Sequence, residues 1–337
     1  MGIFNSFDFI VTNVFHSDIL PESNLLNELV TKLVSNENVA LQIDSYKRTL
    51  LHWASGTCYV SFCQLLVTKN RDALQNRDIF GYTPFHLSCL FNNVEVIKYL
   101  YEMDPACIDI PNLHGDFPIH TVIKCCKTEN VKKVINFFLQ DFPEYVKKCN
   151  RLGMLPLHLV CKHHSDLKSV KFLFNAYPEA ANIECFSFEK PINYAKKRYN
   201  NVDVTNFLES QNELYIQAKA QGDALGSIRF ALGSDNVTVG VVKLLLQENP
   251  KTLELYDSDK NSVIHVACRL GKLDIINFLV QKCCCGISEM NSEGTLPIQL
   301  LLFYAECDRN SQDYIATVHL LLHEHPVAND VFLDMSI

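Results

Sequence analysis

The side chains with the most chemical capacity are histidines and cysteines, and their spacing limits what they do. His52, His86, His120, His158 and His265 stand at one recurring position along the chain. A catalytic base is needed once, so five evenly placed copies point to a repeated structural duty. Cys161-Lys162-His163-His164 sets a thiol beside two imidazoles, the pairing of a nucleophilic thiolate with its base. Cys283-Cys284-Cys285 offers soft metal ligands or acylation sites. Adjacent side chains point in different directions, however, and no further cysteine or histidine stands within a few residues of the cluster. With 12 glycines, the chain holds neither G-x-x-x-x-G-K-[ST] nor G-x-G-x-x-G to cradle a phosphate. No metal, cofactor or catalytic residue is expected, and the competing reading is a Cys/His metal or thiol enzyme built on His163, His164 and nearby cysteines.

The elements that position these groups follow from Asp78-Ile79-Phe80-Gly81-Tyr82-Thr83-Pro84-Phe85-His86-Leu87-Ser88-Cys89. Gly81 supplies a tight turn, Thr83 caps a helix through its hydroxyl, and Pro84 suits the first helical position. The pattern returns at Asn112 to His120, Asn150 to His158 and Asn291 to Gln299, more weakly at Asp44 to Ala54 and Asp257 to Cys268. Two eroded copies are Lys190-Pro191-Ile192-Asn193-Tyr194-Ala195 and Ser227-Ile228-Arg229-Phe230-Ala231. In this register the proline position falls at 50, 84, 118, 156, 191, 227, 263 and 297. Cys89, Cys161 and Cys268 all lie five residues beyond it, and three cysteines at one repeat position fit a shared packing duty better than catalysis by Cys161.

These residues resemble the ankyrin repeat family, whose unit of about 33 residues is a β-turn and two antiparallel helices with a Thr-Pro-Leu-His signature. Tyr177-Pro178-Glu179-Ala180-Ala181 is similar to a motif that one subgroup of the family carries after its second helix. The resemblance implies an all-α solenoid of about eight helix-turn-helix repeats with short β-turn fingers over residues 41–326. It also implies that the recurring histidine bonds backbone near the turn and braces adjacent repeats. Residues 1–40 read as capping helices or a degenerate repeat, with Leu25, Leu26, Leu29 and Leu33 at helical spacing after Pro21. Residues 327–337 read as a tail. Pro105, Pro143, Pro178, Pro250 and Pro326 stop the second helices. The step of 38 residues from 118 to 156 is taken up by an insertion near Lys127 to Asn130, and Ala305 to Asp313 reads as a polar loop.

A net charge of −8 disfavours nucleic acid, and no apolar run reaches the roughly 18 residues of a membrane span. Met1 to Asn13 lacks the basic start of a secretory signal. The 14 cysteines form no bridge framework, which argues for a reducing, cytoplasmic setting. Met1-Gly2-Ile3-Phe4-Asn5-Ser6 fits the N-myristoylation pattern at Gly2 and gives a second reading, a membrane-tethered adaptor.

What the resemblance implies for function is a non-enzymatic, monomeric scaffold that binds a protein on its concave surface. The family leaves variable the residues flanking the finger turn and those just after the first helix's small pair. Here they are Tyr46, Ile79, Phe80, Tyr82, Leu90, Phe91, Leu113, Leu152, Met154 and Phe186, with Arg48, Lys124, Arg151, Lys162, Lys197 and Arg198 as a basic rim. An acidic partner with apolar anchors suits such a strip.

Overall fold

A computed structural model describes residues 41–57, 60–125, 130–163, 166–199, 201–283, 286–305 and 307–324. The N-terminal cap with Gly2, most of the insertion after Lys127, His164, Cys284, Cys285, Pro326 and the tail lie outside the described residues. The described residues up to Ala176, with Ala180–Asn201, form one compact unit, and Tyr177–Glu179 with the described residues from Val202 onward form a second.

Among the described residues the regular elements are helices, and the extended pairing is one antiparallel bridge between Ile43 and Thr49. The first unit pairs α1 (Leu50–Thr57) with α2 (Val60–Lys69), α3 (Pro84–Leu90) with α4 (Val94–Met103), and α5 (Pro118–Cys125) with α6 (Asn130–Asp141). It continues with α7 (Pro156–His163), α8 (Leu167–Ala176) and α9 (Pro191–Tyr199). The second unit holds α10 (Val202–Lys219), α11 (Ala224–Leu232), α12 (Val239–Glu248), α13 (Val263–Arg269), α14 (Leu273–Lys282), α15 (Pro297–Tyr304) and α16 (Gln312–Glu324).

The helix starts follow the capping chemistry. Thr83 Oγ1 accepts the His86 N–H at 3.4 Å, with Pro84 at the first helical position. Proline likewise opens α5, α7, α9 and α15. The sixth copy differs: Asp223 Oδ1 accepts the Gly226 N–H at 2.6 Å, so α11 begins at Ala224 and Ser227 is not its first residue. An ionised cap satisfies orphan N–H groups and needs no proline. The prolines after the second helices do more than stop them: Pro105, Pro143, Pro178 and Pro250 each open a five-residue 3₁₀ turn that leads back to the next finger.

In the first unit each inner helix packs on the next, α1 on α3, α3 on α5, α5 on α7 and α7 on α9. Leu50, Phe85, Ile119 and Leu157 are almost wholly buried there, with Ile97, Ile135 and Phe138 from the outer helices. In the second unit α11, α13 and α15 stack in the same way, over Ile228, Leu232, Ile276 and Leu301. Cys89, Cys161 and Cys268 are buried small residues, as their register predicts.

Candidate interaction surface

Each finger is closed by the side chain of its first residue. In the first unit Asp44 Oδ1 accepts the N–H groups of Tyr46 and Arg48, both at 2.8 Å. Asp78 holds Phe80 and Tyr82, both at 2.9 Å, and Asn150 holds Leu152 and Met154 at 3.0 and 3.1 Å. Asn112 does the same for His114 and Asp116. An acceptor two and four residues ahead fixes the turn without any strand partner. The fourth residue then takes positive φ, as at Lys47, Gly81, Gly115 and Gly153. A side chain at Gly81 would also stand 2.7 Å from the Leu113 nitrogen, so glycine is required there by space as well as by φ.

Consecutive fingers are joined in one register. The second residue of each donates its N–H to the third residue's carbonyl of the finger before: Ile79 to Tyr46 at 2.9 Å, Leu113 to Phe80 at 3.0 Å, Arg151 to His114 at 3.3 Å and Phe186 to Leu152 at 3.0 Å. Second and third residues therefore line the outer rim, and Tyr46, Ile79, Phe80, Leu113, Leu152 and Phe186 are exposed there. In the second unit the equivalent residues are Ser258, Asp259, Ser292 and Glu293, also exposed. The rim of the first unit carries six exposed apolar side chains, interspersed with Ser45, His114, Arg151 and Ser187, and that of the second unit is polar to acidic.

The histidines carry the brace behind the rim. The Thr83 amide donates to His86 Nδ1 at 3.2 Å, and the same bond is made to His52, His120, His158 and His265 by the residue three before each. An amide only donates, so Nδ1 accepts and the ring proton sits on Nε2. Nε2–H then donates across to the next repeat: His52 to the Tyr82 carbonyl at 3.1 Å, His86 to Asp116 at 3.3 Å, His120 to Lys148 at 3.1 Å and His158 to Ile183 at 3.1 Å. Burial pushes His52, His86 and His120 down to about 4, so these rings are neutral spacers.

Two of the residues expected on the partner face are turned inward. Met154 is 3 % exposed and belongs to the core. Tyr82 is half-buried against the His86 ring, with centroids 5.7 Å apart. Both follow the turn glycine, and that fifth finger residue faces the helices, where in Tyr82 and Asp116 its carbonyl receives the preceding histidine. Leu90 is half-buried too, and Phe91, though exposed, lays its ring over Gly56.

The basic rim is partly committed to the fold. Arg48 pairs with the buried Asp78 at 3.0 Å, and Lys124 pairs with the buried Asp116, which Asn150 also reaches at 2.8 Å. Burial pushes the Asp116 carboxyl up, but the Lys124 and Asn150 hydrogen bonds outweigh it and hold it below the usual range. Lys162 lies 5.4 Å over the Tyr194 ring, and Lys197 pairs with Glu189. Arg151 is exposed, with Nη1 donating to the Leu113 carbonyl at 2.7 Å.

Phe188 replaces the turn glycine and was not among the residues expected on the partner face. It stands at the positive-φ position, φ 57°, where three other fingers of its unit have glycine, and it is 84 % exposed. The signal was present in the register, as an aromatic where the turn asks for glycine.

For chemistry the geometry offers little. Burial pushes the Cys161 thiol up to about 12, which opposes a thiolate nucleophile. Among the described residues no group of three His, Cys, Asp or Glu side chains is placed to hold a metal. No helix among them is long and apolar enough to cross a membrane.

A fold of stacked helix pairs joined by turn fingers defines a repeat protein whose variable surface binds other proteins. Residues 22–112 match the family described as ankyrin repeats (3 copies), so that part of the chain is built of ankyrin repeats. It is 28 % identical over 145 residues to Regulatory protein SWI4 of Saccharomyces cerevisiae, covering 37 % of this chain and 13 % of that protein. It is 28 % identical over 154 residues to the Probable 26S proteasome regulatory subunit p28 of the same yeast, covering 44 % of this chain and 64 % of that protein. The chain thus spans less than two thirds of either relative. Its repeats form a protein–protein interaction domain.

Proposed function

We propose that the chain is a non-enzymatic scaffold or adaptor whose first unit binds a protein partner along the finger rim. One observation carries this: Tyr46, Ile79, Phe80, Leu113, Leu152 and Phe186 are all exposed on consecutive fingers held in fixed register, while the second unit's fingers present Ser, Asp and Glu. A run of apolar side chains on a rigid frame marks an interaction site, and aromatic anchors concentrate binding energy. Phe91 and the half-buried Leu90 extend it at the end of α3. Arg151 and Lys162 border the run, so the partner is an acidic segment with apolar anchors. The chain acts as a monomer in a reducing, cytoplasmic setting, which fits its free cysteines.

A pull-down with the folded chain tests this. Phe80→Asp with Leu152→Asp abolishes capture at an unchanged melting temperature, whereas Ser258→Asp with Ser292→Asp keeps it. Equal capture by the Phe80/Leu152 variant places the interface elsewhere. Phe91 is left intact because its ring supports α1 through Gly56. The second reading, a tethered adaptor, is favoured by Met1-Gly2-Ile3-Phe4-Asn5-Ser6. Intact mass after co-expression with an acyltransferase decides it, by the gain or absence of one myristoyl group.

A further inference from the structure

The finger ladder of the first unit has an open end. Its last finger runs from Cys185 to Glu189, closed by the Cys185 N–H to the Glu189 carbonyl at 3.0 Å, and it joins the one before through Phe186. Its own third residue is Ser187. In the four preceding fingers that residue's carbonyl receives the next finger's N–H, at Tyr46, Phe80, His114 and Leu152. Among the described residues none donates to the Ser187 carbonyl. In the second unit α10 is 18 residues long, and Ala220 to Asp223 lead directly into α11.

The side chains around this end are unusual for an unpaired edge. Exposed edges are ordinarily guarded by charge, and the last described finger of the second unit has Glu293 as its third residue. Ser187 instead stands between Phe186, 72 % exposed, and Phe188, 84 % exposed. Phe188 is moreover held at φ 57°, a conformation that costs a side-chain-bearing residue energy and that glycine would adopt freely. Lys47 and Lys260 hold the same conformation at this position of their fingers, φ 59° and 57°, so what sets Phe188 apart is an exposed aromatic ring there.

We infer that the Phe186–Phe188 tip receives a β-turn from a protein partner, which donates a backbone N–H to the Ser187 carbonyl and packs apolar side chains on the two phenylalanines. The partner turn extends the first unit's finger ladder by one bond. Its chemistry is set by the end it meets: a free amide in a turn, flanked by aliphatic or aromatic residues, with affinity from backbone pairing and choice of sequence from the pockets. This rests on the reading of the finger rim as the partner surface and names its backbone-binding end.

The test pans the full chain against a phage library of short disulfide-cyclised peptides, then measures the strongest synthetic binder by calorimetry. Phe188→Gly is expected to weaken binding roughly tenfold or more while raising the melting temperature by a few degrees, so lost binding is not lost folding. Phe80→Asp is expected to leave affinity within about twofold, and N-methylation of one peptide amide to lower it roughly tenfold. No enriched binder, indifference to Phe188→Gly, or indifference to N-methylation at every amide overturns the inference. So does a binder lost in Phe80→Asp, since the rim and not its end then holds it. That last result leaves the wider rim reading standing, and the pull-down tests that reading separately.

Discussion

The Cys185 sulfur lies 3.3 Å from the Tyr194 hydroxyl, in the finger position that Asp44, Asp78, Asn112 and Asn150 hold in the other fingers of its unit. Burial pushes this thiol up, but hydrogen bonds from Tyr194 and from the backbone N–H groups of Ser187 and Glu189 outweigh it and hold it below the ordinary thiol value. The sulfur thus stands in for the carboxamide or carboxylate oxygen, two and four residues ahead.

Sulfur is a weak acceptor, so Cys185→Asn is expected to stabilise the chain by about 1 kcal/mol, through two firmer N–H bonds. Thermal unfolding checks this. A fall in melting temperature would show that the finger depends on the thiol's contact with Tyr194.

Acid stability follows from the braces. His52, His86 and His120 sit near 4 when folded and near 6.5 when unfolded. The unfolded chain therefore takes up protons first as pH falls, and the stability these neutral rings give is complete above about 6.5 and lost towards 4. Each shift is worth on the order of 3 kcal/mol. Urea melts between pH 7.5 and 4.5 should show the midpoint dropping steeply below 6.5, and a flat profile would contradict buried, neutral histidines.

Local resistance to protease should be lowest at the fifth and sixth repeats. Asn193 keeps half of the histidine's duty, accepting the Lys190 N–H at 3.2 Å, but has no Nε2–H to send to the next repeat. Arg229, at the sixth histidine position, bonds instead to Asp257 at 3.1 Å with its side chain half exposed, where screening weakens the pair. Limited chymotrypsin digestion is expected to cut first between residues 186 and 222. Earlier cuts between 78 and 160 would contradict this.

The two neighbours of Gly153 should behave oppositely. Met154→Ala is expected to cost about 2–5 kcal/mol by leaving a core cavity, and Leu152→Asp to cost about 0.5 kcal/mol or less. Equal losses would mean that the rim residue is core as well.

Much of this was legible in the sequence because repeat chemistry is local. Thr83, Pro84 and His86 announce a cap, a helix start and an acceptor within four residues, and the copies set the period. Side-chain direction within a finger was less legible. Residues on both sides of the glycine look alike in composition, and only the folded finger shows that the residue after the glycine faces the helices, as Tyr82 and Met154 do. The start of α11 was missed for a similar reason, since Asp223 caps without a proline and so leaves the proline register. Lys124 and Arg48 read as a free basic rim because their buried acidic partners are identified only by packing.

The central claim is that the first unit's finger rim meets the partner, and site-specific photocrosslinking tests it most directly. Benzoylphenylalanine is placed at Phe80 in one chain and at Ser258, the equivalent tip of the second unit, in another, and each is irradiated with the protein recovered in the pull-down. The account predicts a covalent product from position 80 and none from position 258. A product from 258 alone, or equal products from both, would contradict it.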